Sequence, residues 1–137
     1  MQLNRSPRSS LVSNEDEFFP GEIKEMILLA LYEKLSDTDD KTRQADVLRD
    51  IIDKNGGCQH TADKKAQMLK STLKGYKNVS ATMKKLFAEL GFVVTEEGKH
   101  YKLTYYGDGR YWTTVAKTPS DNRTGMNQAM HIIKHML

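Results

Sequence analysis

At Gly91 the hydrophobic period of this chain changes, and the change constrains the fold more than any other feature. Before it, Met83, Leu86, Phe87 and Leu90 recur at helical spacing behind Ser80, a residue suited to cap a helix N-terminus. After it the period falls to two. "FVVTE" reads as a short strand and "EGK" as a turn. "HYKLTYY" alternates, with Tyr101, Leu103 and Tyr105 on one face and His100, Lys102, Thr104 and Tyr106 on the other. "GDGR" is a glycine-rich hairpin turn, and "YWTTVAK" is a third strand rich in β-branched and aromatic residues. "TPSDNRTG" then breaks the pairing and offers Ser120 or Asp121 as a cap. The last helix sets Met126, Ala129, Met130, Ile133 and Leu137 inward and leaves His131, Lys134 and His135 outside that stripe. The expectation for 78–137 is an α-β-β-β-α two-layer sandwich. Its three-stranded antiparallel sheet has one apolar face, covered by both flanking helices, and an opposite face that is open or covered by residues 17–77.

Three helices are expected upstream, making the whole chain an α+β protein with a helical N-terminal region over 17–77. In "FFPGEIKEMILLALYEKL" one stripe holds Ile23, Met26, Ile27, Ala30 and Leu31, and a second holds Leu28, Leu29 and Tyr32. A helix so broadly apolar is expected to be buried on two sides or to pair with a second copy, which makes 20–35 a candidate protein-partner or homodimer surface. "TRQADVLRDIIDKNGG" has Val47, Leu48, Ile51 and Ile52 as its buried set, and Gly56 and Gly57 as its stop. The third helix opens at Thr61 as N-cap and is the most basic in the chain. Residues 1–16 are expected to form a disordered tail.

Composition removes several classes of function. No apolar run is long enough for a membrane span, the longest being "MILLALY" at 26–32. A single cysteine, Cys58, forms neither an intrachain disulfide nor a zinc framework, which suits a reducing, cytoplasmic setting. Four scattered histidines and no glycine-rich phosphate loop before a helix point away from metal and cofactor chemistry; no cofactor is expected. Charge is divided unevenly. Residues 1–60 carry 8 Lys/Arg against 12 Asp/Glu, whereas 61–137 carry 13 against 6. The basic half is expected to meet something anionic, or to meet the acidic half.

The segment "LFAELGFVVTEEGKHYKLTYYGDGRYWTTVAKTP" resembles the HicA toxin family of bacteria and phages and, more broadly, the double-stranded-RNA-binding-domain fold. There a helix ends in "LGF", a strand leads to Gly-x-His, and two further strands flank a Gly-rich turn. The resemblance implies mRNA cleavage by the histidine of a Gly-Ser-His motif, which falls on His100 here. Lys99 replaces the usual serine, and "TPSDNRTG" replaces the family's histidine- and glycine-containing segment before the last helix.

Candidate nucleic-acid contacts are Lys64, Lys65, Lys70, Lys74, Lys77, Lys84 and Lys85 on two successive helices, with Lys99, Lys102 and Arg123 on the sheet and its following loop. Lysines so placed can track a phosphate backbone. Some of Tyr101, Tyr105, Tyr106, Tyr111 and Trp112 are available as stacking platforms if they face outward, although alternation sends about half of them into the core. The leading expectation is a nucleic-acid-binding protein that favours structured RNA. The alternatives are a metal-independent ribonuclease using His100, and an inhibitor- or antitoxin-like protein-binding module without nucleic-acid affinity.

Overall fold

A computed structural model describes residues 11–57 and 59–137. Helices α1 (Glu22–Ser36), α2 (Arg43–Lys54) and α3 (Thr61–Leu73) precede α4 (Ala81–Glu89), β1 (Phe92–Glu97), β2 (His100–Tyr105), β3 (Trp112–Ala116) and α5 (Thr124–Met136). The class is α+β, as the change of period requires. The sheet is an antiparallel meander in the order β1-β2-β3.

The alternation of β2 sets the two faces. Tyr101, Leu103 and Tyr105 are buried, and their register partners Val94, Phe92 and Val115 lie on the same side. Three helices cover this side, contributing Leu69 and Leu73 from α3, Phe87 from α4, and Ala129 and Ile132 from α5, with Tyr76 and Leu90 from the linkers. The core runs across the expected boundary at 77/78, because Leu69, Leu73 and Tyr76 belong to it, with α3 packed chiefly against α5. Two contacts fix α3 there. A Cβ on Gly125 would overlap the Leu73 carbonyl, so only glycine lets α5 approach α3 this closely. The Tyr76 hydroxyl, deprived of water by burial, donates to the Ala116 carbonyl at 2.6 Å.

The helix ends follow the sequence in part. Ser80 caps α4 by accepting from the Met83 amide at 3.2 Å. Asp121 caps α5, accepting from the amides of Arg123 and Thr124 at 2.8 and 3.0 Å. Thr61, expected as the cap of α3, is instead its first helical residue. His60 precedes it at φ 58 and gives no side-chain cap. The Thr61 amide donates to the carboxylate of Glu25, the one buried charged residue on α1. A charge supplied across the fold does the work of a local cap.

Four further expectations are corrected. The two-sided burial foreseen for α1 is absent: Glu25 and Leu28 are its only buried residues, while Met26 and Tyr32 stay 59% and 48% exposed. The helix packs on α2, whose buried line is Ala45, Leu48 and Ile52, leaving Ile51 exposed. The inner face of α5 is Gly125, Ala129 and Ile132, and Met130 points out. Contact through small residues one turn apart rotates the helix away from its methionines. The expected tail is also anchored in part. Residues 1–10 lie outside the described residues, but Glu15 is held by Arg110 through two hydrogen bonds of 2.8 and 2.9 Å. Phe18 lies among Tyr105, Tyr106 and Tyr111, stacked on Tyr106 at 5.1 Å between ring centroids.

Among the described residues, no helix is long and apolar enough to cross a membrane.

Candidate nucleic-acid interface

Among the described residues, no element covers the second face of the sheet. Register places its residues in three rows across the strands. Val93, Thr104 and Trp112 form the first, Thr95, Lys102 and Thr114 the second, and Glu97, His100 and Ala116 the third. Trp112 and Val93 are each half exposed, at 50%. Such exposure is unusual for an indole, the side chain with the most apolar surface to bury. The Lys102 ammonium sits 4.7 Å above the centre of the Trp112 ring, a cation–π contact that fixes the charge beside an open aromatic surface.

The third row lies at the turn between β1 and β2. Gly98, at φ 58, allows a two-residue connection there, so Glu97 and His100 face each other directly across the hairpin. His100 is exposed at the first position of β2, beside Lys99. This end of the sheet also receives Lys117 and Lys84. Lys117 hydrogen-bonds its amide to the Lys99 carbonyl and pairs with Glu96 at 2.7 Å. Both ammonium groups lie over the Tyr101 ring, at 5.0 Å for Lys117 and 4.6 Å for Lys84. A hydrogen bond with the Tyr101 hydroxyl raises the Lys84 pKa, keeping it charged. Lys77 joins from the linker before α4, donating to Asn122 at 3.1 Å, next to Arg123.

The basic set read from sequence is thus divided. Lys102 stands on the open face with Lys99 and His100 at its turn end, whereas Lys84, with Lys117, lies over Tyr101 on the covered side, and Lys77 meets Asn122 beside Arg123. Lys64 and Lys70 lie along α3, on the far side of the core, with Lys74 just past its C-terminus; Lys85 is exposed on α4. Lys65 belongs to neither group. Its ammonium donates to the Tyr105 hydroxyl at 2.9 Å and lies 4.1 Å from the centre of the Phe19 ring. Burial lowers its pKa, opposed by the charges of Glu22 and Glu25. It joins α3, the sheet and the N-terminal segment.

Two further differences concern the aromatics. Tyr106 was expected on the open face with Lys102. It adopts φ 50 instead, which turns its ring back over Gly91, where a Cβ would overlap it. Trp112 thereby becomes the principal aromatic of the open face. Lys117 went unremarked in the sequence, since only the pairing of β3 with β2 brings it beside Lys99. His131 and His135 do not approach His100. They lie on α5, and His131 shares a shallow concavity with Thr113, a residue on the covered side of β3.

Among the described residues, no three His, Cys, Asp or Glu side chains are grouped to hold a metal ion. Comparison with protein-family models, curated proteins and solved structures finds no match for this chain.

Proposed function

We propose that the protein binds nucleic acid, favouring structured RNA that presents an unpaired base, through the open face of its sheet. The observation that carries this reading is the half-exposed Trp112 with Lys102 over its ring, in a face that ends at Lys99 and His100. An indole on an open strand offers a base a surface to stack on, and the lysines offer its phosphates a charged margin. Hairpin loops and bulges provide such bases, whereas intact duplexes keep them stacked. The resemblance of 78–137 to RNA-associated folds points the same way.

Trp112 is the only tryptophan in the chain, so its fluorescence reports on this face alone. The test is a titration with hairpin RNA, single-stranded RNA and duplex DNA at two salt concentrations. The expected result is quenching by the hairpin that weakens as salt rises, with Lys102→Ala reducing affinity. An unchanged spectrum with all three at low salt removes the proposal.

A second reading, metal-independent RNA cleavage, is favoured by the direct pairing of His100 with Glu97 beside Lys99. An imidazole and a carboxylate at that spacing can exchange protons with a ribose hydroxyl and a leaving oxygen. It requires that His100→Ala abolish cleavage while quenching of Trp112 persists. Equal cleavage by the variant ends it.

A further inference from the structure

On the solvent side of α5, His131 and His135 stand one helical turn apart with their ring centroids 4.3 Å from each other. Both are exposed, and neither imidazole makes a hydrogen bond or ion pair among the described residues. We propose that this pair is a two-histidine chelate for a first-row divalent transition ion, of the Ni2+, Cu2+ or Zn2+ class, with water completing the coordination.

The geometry carries the proposal. Imidazole nitrogens bind such ions at about 2.0–2.1 Å, which puts the metal about 3.2 Å from each ring centroid. Two rings on adjacent corners of an octahedral or square-planar ion are then about 4.5 Å apart, centroid to centroid. The observed 4.3 Å is close to that separation. Spacing of i, i+4 on a helix is what brings two side chains onto one face at this separation. His131 is interior to α5 and His135 lies in its last turn, one residue before its end at Met136, so the helix backbone sets their spacing. Imidazole is also the protein ligand best matched to ions of intermediate softness, in contrast to Mg2+ or Ca2+, which prefer oxygen. No carboxylate completes a three-residue group here, which makes this an open site with exchangeable positions.

The surroundings admit the ion. His131 borders the concavity with Thr113, Asn127 and Gln128, and His135 borders another with Glu15 and Asp16. The metal sits between the two, away from the Trp112 face, so occupation of the chelate and RNA binding are separable.

The test uses the full chain labelled with 15N and titrated with Ni2+ alone. Paramagnetic broadening is expected first at the imidazole signals of His131 and His135, while His60 and His100 stay sharp. In His131→Ala the same broadening of His135 should need about tenfold more Ni2+ or beyond, because the chelate's effective concentration is lost. Alanine is the best helix former, so the variant leaves α5 intact, which an unchanged amide spectrum confirms. Equal broadening of all four histidines, or an unaltered response in His131→Ala, marks adventitious binding only and overturns the proposal.

Discussion

Gly125 sits in the first turn of α5, where glycine costs a helix about 1 kcal/mol relative to alanine. Its presence is explained by what it touches. The residue is buried, and any side chain there would overlap the Leu73 carbonyl at the end of α3. Gly125→Ala is therefore expected to destabilise the protein by about 1–3 kcal/mol, as overpacking does, despite the gain in helix propensity. Gly109 is the control. It lies in open space at an ordinary backbone angle, and Gly109→Ala is expected to stay within about 0.5 kcal/mol of the parent. Urea denaturation separates the two, since a lower midpoint at unchanged slope reports stability alone. If Gly125→Ala matches the parent, the close α3–α5 approach is not a stabilising feature. Tyr106 shows how far a single backbone angle reaches. Strict alternation assigns it to the open face, and one residue at φ 50 removes it and leaves Trp112 to dominate that face.

Among the elements, α3 decides how the chain divides. Leu69, Leu73 and, just beyond it, Tyr76 close the core over the sheet, so a fragment of 78–137 leaves Phe87, Leu103 and Ile132 partly uncovered. That fragment is expected to show no cooperative thermal transition, whereas 59–137, which restores α3, should show one. Leu73→Ala in the full chain should cost about 2–5 kcal/mol, the range for emptying a well-packed leucine site. A stable, well-dispersed 78–137 fragment contradicts the single core. The existence and type of all eight elements were legible because each carries its own period or turn residues: Ser80 before α4, the alternation of β2, Gly98 in the hairpin. The docking of α3 was not, since its lysines read as a nucleic-acid-binding surface and the Glu25 carboxylate that caps it lies 36 residues away. The candidate site was legible by the same measure. His100, Lys99 and Lys102 follow from local alternation, while Lys117 and Lys84 reach that end of the sheet only through strand pairing and helix packing.

Across the whole molecule, one charge cluster ties the acidic half of the chain to the basic half. Arg110 in the β2–β3 loop bridges Glu15 of the N-terminal segment and Asp108 of its own loop, at 2.8 Å to each. The hydrogen bonds from Arg110 lower the Asp108 pKa from an ordinary 3.8 to about 2 and lower that of Glu15 as well. The sign of the linkage follows. A carboxylate whose folded pKa is depressed contributes stability above its unfolded value, and that contribution fades as pH falls through the folded one. The Asp108–Arg110 pair is thus fully formed above the ordinary 3.8 and lost as the solution approaches pH 2, and the Glu15–Arg110 bond that carries the segment is fully formed above the ordinary 4.5 and lost at a pH below it. All three groups are open to water, so the effect is local attachment of the segment bearing Phe18, and salt should weaken it. Carboxyl 13C shifts followed against pH provide the measurement. In the parent, the Asp108 midpoint is expected near 2 and the Glu15 midpoint below its ordinary value. In Arg110→Ala, both carboxylates should return to ordinary midpoints, and Phe18 should loosen from its tyrosines at neutral pH. If Phe18 keeps its tyrosine contacts in the variant, Arg110 is not what holds the segment. The aromatic contacts of Phe18 would then be its whole attachment.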